Sequence, residues 1–300
     1  MKKIMSVTLT APAKVNLFLR VVRKRPDGYH DLQSRMQALE TGDLVTLSRT
    51  GGGIEVTCDC PEVPAGPDNI AYKAALALAG EAGLKEGVGI HIKKLIPMAA
   101  GLGGGSSDAA ATLKGMDLLF GLGVPDARLR EIGLSLGADV PFFLSWPSAL
   151  AEGVGEALTE LSAPEETWVV LVNPGLHVST AWVYASLNLG LTNTSNRITL
   201  PASEGRTVRD ICAGPPASYL HNDLERVTVA KYPQIREIKE RLVGEGADGA
   251  LMSGSGPTVF GLFGDRAGAE RAAARLKEPG WTVLVTRTIS SWPEPSLVVL

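Results

Sequence analysis

Four glycines occupy five positions near the end of the first third of the chain: Gly101, Gly103, Gly104 and Gly105, with Leu102 between the first two. Pro97-Met98-Ala99-Ala100 leads into them and Ser106-Ser107-Asp108 follows. Before the run, Gly89-Ile90-His91-Ile92-Lys93-Lys94 alternates like a strand. After it, the stretch from Ser106 to about Phe120 carries the spacing of a helix. Glycines let consecutive backbone N–H groups point into one concavity. The start of a helix adds unpaired N–H groups and about half a positive charge. Ser106 and Ser107 add hydroxyl donors, or a ligand for a phosphate-bound Mg²⁺. Together these groups suit a polyphosphate. The alternative is a tight turn with no ligand, but a structural turn seldom needs four glycines and two serines in seven residues.

Two familiar phosphate loops do not match. A Walker A loop needs a lysine directly after its glycines, and none stands here. A dinucleotide fingerprint counted from Gly101 meets Ser106 where its last glycine should be, which also removes a dinucleotide-dependent oxidoreductase. Composition narrows the class further. Glycine and proline are abundant, 34 and 19 of 300 residues, without a Gly-x-y period, so a collagen is excluded. Lys+Arg (29) nearly balances Asp+Glu (32), which is not the basic footprint of a nucleic-acid binder. An anionic small ligand stays possible, because a pocket can be locally positive in a near-neutral protein.

The three cysteines, Cys58, Cys60 and Cys212, form no framework and predict a reducing, cytoplasmic setting. Cys58-Asp59-Cys60 lacks the second pair that a metal site needs and reads as a strand edge. The first residues have two lysines but no apolar stretch behind them, so no signal peptide is expected. Residues 132–151 imitate a membrane span with one charge, Asp139, yet Gly133, Gly137, Pro141 and Pro147 would break it. No membrane partner is expected, and the oligomeric state is left open.

The chain divides near its Ser-Ala-Pro-Glu-Glu linker into residues 1–162 and 163–300. In the first part, short strands are predicted at 7–10, 17–22, 43–47 and 54–57, and helices at 69–82 and 126–136. The second part reads β-α-α-β-β-α-β: strand 168–172, a short helix at 180–187, a long helix over 222–243 that Pro233 kinks or splits, strands 249–253 and 258–263, helix 266–277 and strand 281–289. That order predicts a ferredoxin-like layer. Residues 188–217 are polar and irregular.

Pro97-x3-Gly101-Leu102-Gly103 through Ser106-Ser107 resembles the phosphate loop of the GHMP small-molecule kinases. Further segments extend the resemblance in family order: Ala11-Pro12-Ala13-Lys14-Val15-Asn16-Leu17, Arg25-Pro26-Asp27-Gly28-Tyr29-His30, Gly137-Ala138-Asp139-Val140-Pro141, Ala151-Glu152-Gly153-Val154-Gly155-Glu156, Asn222-Asp223-Leu224-Glu225 and Ser253-Gly254-Ser255-Gly256-Pro257. The resemblance implies an α+β, two-domain GHMP kinase fold. An N-terminal, ribosomal-S5-like ATP and catalytic domain would meet a C-terminal ferredoxin-like domain, with the active site in the cleft between them. It implies ATP with Mg²⁺ and no dedicated protein metal cage.

Residue by residue, the resemblance makes Asp139 the base and Lys14 its partner, a cation that keeps a neighbouring carboxylate ionised and stabilises a transferring phosphoryl group. Pro97, Met98, Ala99, Ala100, Gly101, Leu102, Gly103, Gly104, Gly105, Ser106 and Ser107 would cradle the triphosphate, with Asn69 and Lys94 near the nucleoside. Lys94 also reads simply as a charged strand end. The long glycine form with Tyr29-His30 points to an acceptor that carries a cytidine diphosphate, phosphorylated on the non-mevalonate route to isoprenoid precursors. His30 would hold the cytosine edge, an aromatic group would stack on the base, Asn16 would lie near the reacting hydroxyl, and Thr180 would face the substrate. Trp182 reads as core. Gly254, Ser255 and Gly256 would close over the phosphate loop; their alternative is a hairpin turn. Ala99 and Ala100 stand where some relatives have glycine, so both are expected at negative φ. Other GHMP kinases, of mevalonate or homoserine type, and a non-catalytic nucleotide-binding protein are the remaining readings. The last has no need of Asp139 or Lys14.

Overall fold

The computed structural model describes residues 3–187 and 207–299. Two very long strands begin it, β1 (Ile4–Lys24) and β2 (His30–Thr50), followed by β3 (Ile54–Cys58), helix α1 (Ile70–Ala82) and β4 (Gly87–Lys93). Helices α2 (Gly104–Phe120), α3 (Asp126–Leu136) and the single turn α4 (Val140–Phe143) come next, then β5 (Ser148–Gly153) and β6 (Ala157–Glu160). The second half runs β7 (Trp168–Asn173), α5 (Thr180–Ser186), α6 (Val208–Ile211), β8 (His221–Asn222), α7 (Glu225–Lys231), α8 (Gln234–Gly244), β9 (Gly249–Met252), β10 (Val259–Phe263), α9 (Arg266–Arg275), β11 (Thr282–Arg287) and β12 (Ser296–Val299).

One sheet is ordered β12-β1-β2-β4-β3, with β5 on the other half of β2, β6 on β5, and β8 on β1. The other is antiparallel, ordered β11-β7-β10-β9. Counted along the second half, that is 4-1-3-2, so the ferredoxin-like layer is present. We propose the domain division at 162/163, in the linker between β6 and β7. The halves are not cleanly separated, because β8 and β12 return to the first sheet.

Helix boundaries follow local chemistry. Asn69 caps α1 by accepting from Ala71 N–H, and Gly83 closes it at φ 60°. Ala71, Ala74, Ala75 and Leu78 form its buried stripe. The predicted long helix is two: Pro233 divides α7 from α8, and Asn222 belongs to β8 rather than to a helix. Strands expected at 7–10 and 17–22 are one strand. Pro12 faces Gly42 while Lys14 faces Ala38, so four residues of β2 pass for two of β1. This bulge absorbs Pro12 without ending the strand. Helix α2 starts at Gly104, two residues before the predicted Ser106. The irregular reading of 188–217 falls outside the described residues up to 206; beyond them, 208–211 is the helical turn α6.

Three apolar clusters hold the molecule. One lies between the first sheet and α1 to α4, and one fills the second domain. The third joins Val15, Phe18, Ile96, Ala100 and Leu102 of the first half to Val169, Leu171, Leu251 and Phe260 of the second. Residues of both halves therefore pack against the apolar anchors of the glycine loop.

Candidate active site

The loop from Leu95 to Gly103 is fixed by its carbonyls and its two apolar anchors. Ala100 and Leu102 are buried in the junction core. Ala100 O accepts from Thr258 N–H at 3.3 Å, Gly101 O from Ser253 Oγ at 2.9 Å, and Leu102 O from Lys14 N–H at 2.9 Å. The last bond is available because Lys14 and Ala38, opposite each other in register, both turn their N–H groups away from the partner strand, Ala38 N–H going to Pro147 O. With its carbonyls turned inward, the loop presents N–H groups outward, and no side chain caps α2. Gly101 (φ 75°) would place a Cβ 2.3 Å from Ser253 O, and Gly103 (φ 73°) would place one 2.9 Å from the Phe143 ring and 3.0 Å from Lys14 Cγ. At these two positions glycine is required by conformation and by space. Ala99 corrects an expectation: its φ is 50°, in the left-handed region, where the turn over Met98 and Ala99 forces an L-residue into a glycine conformation.

On one side of the loop is an open pair. Lys14 Nζ lies 3.4 Å from Asp139 Oδ2 and donates to Asn16 Oδ1 at 2.7 Å. Asn16 Nδ2 donates to Ser34 Oγ at 2.8 Å, which donates in turn to Phe18 O at 2.8 Å. Lys14 is buried, while the Asp139 side chain keeps 39% of its exposure. The sequence placed Asp139 inside an apolar run. In the fold it stands at the entrance to α4, on the wall of a cavity of about 690 Å³.

The same cavity is lined by Lys14, Asn16, Tyr29, His30, Gly101, Gly103, Ser106, Thr180, Gly254 and Ser255. The Arg25-to-Tyr29 turn, closed by Arg25 N–H to Tyr29 O at 2.7 Å, leaves Tyr29 exposed and turns His30 inward. The His30 ring lies 5.1 Å from that of Tyr184. Burial, with help from Lys24, lowers the His30 pKa and favours neutral imidazole. Burial, with help from Asp139, raises Tyr184 to about 12, so its hydroxyl keeps its proton. Thr180 Oγ1 and Ser255 Oγ are hydrogen-bonded at 2.8 Å, joining the start of α5 to the 253–257 loop within the second half. Asn222 Nδ2 holds the 253–257 loop by donating to Met252 O and Gly254 O at 2.8 and 2.7 Å. A Cβ on Gly254 would lie 3.4 Å from both Asn16 Oδ1 and Gly101 O, so this loop closes over the first.

On the other side is a sealed cluster. Lys94 Nζ donates to Asp43 and, at 2.9 Å, to Asp108 Oδ2; Asp43 Oδ1 also accepts from Leu95 N–H and Ile96 N–H at 2.6 and 2.8 Å. Burial, eased by Lys94 and renewed by Asp43, holds the Asp108 carboxyl up at about 7. Burial pulls Lys94 down, but its two carboxylates leave it above its ordinary value. Lys94 thus ties both ends of the loop together. Neither it nor Asn69, whose side chain caps α1 and donates to Pro64 O at 2.8 Å, lines the cavity. Pro97, Met98, Ala99, Ala100, Leu102, Gly104, Gly105, Ser107 and Gly256 do not line it either. The Ser107 hydroxyl is buried without a partner. Trp182 is half-buried against the second-domain core.

Sequence reasoning missed Tyr184, Ser34, Asp43 and Asp108. Tyr184 had a signal: it is four residues from Thr180, on the same helical face. The others are recognised only through partners far along the chain.

Among the described residues no group of three or more His, Cys, Asp or Glu could hold a metal, and no helix is long and apolar enough to cross a membrane. Residues 69–145 match the GHMP kinases N-terminal domain and residues 210–280 the GHMP kinases C-terminal domain. A 4-diphosphocytidyl-2-C-methyl-D-erythritol kinase of Geobacter metallireducens is 52% identical over 95% of this chain and 99% of its own. A crystal structure of 4-(cytidine 5'-diphospho)-2C-methyl-D-erythritol kinase is 35% identical, with a TM-score of 0.76 over 94% of this chain and 98% of its own. Methanococcus jannaschii mevalonate kinase shares the fold alone, with 12% identity and a TM-score of 0.69 over 96% of this chain and 99% of its own. The chain belongs to the GHMP kinase family and is an ATP-dependent small-molecule kinase.

Proposed function

We propose that the chain transfers the γ-phosphoryl group of ATP to the 2-hydroxyl of 4-diphosphocytidyl-2-C-methyl-D-erythritol. The observation that carries the reading is one cavity walled by the Lys14–Asp139 pair, the glycine loop and the His30–Tyr184 pair. Asp139 accepts the proton of the acceptor hydroxyl as its oxygen bonds to phosphorus and the bond to ADP breaks. Lys14 orients Asp139 and offsets charge on the transferring group. Asn16, fixed by Ser34, sits beside them to position the acceptor.

The N–H groups of residues 101–105 and the Ser106 hydroxyl face the triphosphate; Pro97 to Ala100, Leu102 and Ser107 shape the loop from behind, and Gly254, Ser255 and Gly256 close it. Asn69 and Lys94 lie on the nucleoside side. A loop of free N–H groups, a helix without a side-chain cap and the Ser106 hydroxyl on the cavity wall fit a polyphosphate. Mg²⁺ would supply charge neutralisation at the phosphates, and the Ser106 hydroxyl, on the cavity wall, would be the side chain to hold it. Neutral His30 both donates and accepts, which suits the cytosine edge, while Tyr184 and Tyr29 offer rings to the base and Thr180 borders the acceptor.

The test is ADP release with the cytidyl acceptor, mevalonate and homoserine, repeated with Asp139→Asn. Turnover of only the cytidyl acceptor, lost in the variant, is expected. Turnover of mevalonate or homoserine instead overturns the acceptor, and undiminished turnover in Asp139→Asn overturns the base.

A further inference from the structure

Lys114, on α2 ten residues after its first residue Gly104, is a half-buried lysine with no ion pair among the described residues. Its Nζ donates to Phe143 O at 3.0 Å and lies 5.2 Å from the centre of the Trp292 ring. Phe143 ends α4, the single turn that Asp139 begins. The other carbonyls at this end are already engaged: Pro141 O accepts from Leu144 N–H and Ser145 Oγ, and Phe142 O from Ser145 N–H. Ser145 O accepts from Trp292 Nε1 at 3.0 Å. Lys114 and Trp292 therefore supply the last two donors to the C-terminal end of the turn.

Packing points the same way. The Trp292 ring meets Phe142 and Phe143 at 6.1 and 6.5 Å between centres. The Phe143 ring in turn rests on Gly103, where a Cβ would come within 2.9 Å of it. Contact thus runs from Trp292 through Phe143 to the phosphate loop, and along α4 to Asp139. Trp292 lies beyond β11, on the segment that leaves the second domain and pairs with β1 as β12.

We propose that Lys114 and Trp292 are positioning residues that clamp α4, and with it Asp139, against the glycine loop. The proposal rests on the reading of Asp139 as the base. The charge on Lys114 matters because an ammonium is a stronger donor to Phe143 O than a neutral amine, and only the ammonium is drawn to the ring. Burial pushes Lys114 down to about 8, against the pull of Asp126 at the start of α3. The other groups on it, the Phe143 carbonyl and the Trp292 ring, are neutral.

The test compares Lys114→Met, Lys114→Arg, Trp292→Phe and Asp139→Asn by steady-state kinetics and thermal melting. Lys114→Met should lower kcat about tenfold, and Trp292→Phe about threefold, with both KM values held within about twofold. The wild-type kcat should fall as pH rises through about 8, and Lys114→Arg, which stays charged, should lose that fall. Folding stability should move oppositely. The folded chain gives up the Lys114 proton at about 8, before the unfolded chain does near 10.5, so stability relative to Lys114→Met rises across that window. A lysine with a merely structural role would move rate and stability together.

Unchanged kcat in a folded Lys114→Met or Trp292→Phe, or KM values that rise at constant kcat, overturn the clamp. So does an alkaline fall that persists unshifted in Lys114→Arg. If these occur while Asp139→Asn is inactive, the clamp alone has failed; full activity in Asp139→Asn removes the base reading itself.

Discussion

Two lysine–carboxylate clusters flank one glycine loop, built from the same groups with opposite surroundings. Lys14 and Asp139 meet at 3.4 Å on a cavity wall, and the Asp139 side chain retains 39% exposure. Lys94, Asp43 and Asp108 meet within the protein, with side-chain exposures of 9%, 0% and 5%. An exposed carboxylate can meet a substrate and exchange a proton with it. A sealed one cannot, and its charge is tolerable only while its partner stays in place. Burial rather than residue type separates a pair suited to chemistry from one suited to holding the loop.

The largest effect expected from this difference is on rate. Asp139→Asn should lower kcat by about 10³-fold, within the range for a lost general base, and leave the melting temperature nearly unchanged. A large loss of stability would break the comparison, because it would make the open pair structural as well. The sealed side should behave inversely. Lys94→Met strands Asp43 and Asp108 without a counter-charge and should cost about 3 kcal/mol, a melting drop of about 5–10 °C. If Lys94→Met instead raises the KM for ATP without lowering the melting temperature, Lys94 works as a nucleotide contact and not as the tie between the loop's ends.

The two sides also differ in what could be read from the residues. The glycine loop announces itself because it uses backbone: Gly101 and Gly103 are needed for conformation and space, and Leu102 between them for the core. Lys14 and Asn16 are two apart on a strand, and their contact at 2.7 Å follows from that spacing. Helix caps at Asn69 and Gly83 are equally local. Lys94 reads as a plain strand end because its partners, Asp43 and Asp108, lie 51 and 14 residues away. The union of 7–10 and 17–22 into one strand was hidden for a related reason. It depends on how β2 bulges opposite Pro12, a property of the pairing and not of either segment.

The loop between the clusters offers the smallest test. Ala99 sits at φ 50°, a conformation that costs an L-residue about 1 kcal/mol and glycine almost nothing. Ala99→Gly relieves that strain but also gives the unfolded chain more freedom, which subtracts several tenths of a kcal/mol. A net gain of about 0.5 kcal/mol is expected, read as a small rise in melting temperature. Rate and KM for ATP should not move, because the carbonyls of Ala100, Gly101 and Leu102 are pinned from the two domains whatever occupies position 99. A rise in KM for ATP would mean that the left-handed Ala99 helps to aim the N–H groups that follow it. The strain would then belong to the phosphate site, and the two clusters alone would not account for the shape of the loop.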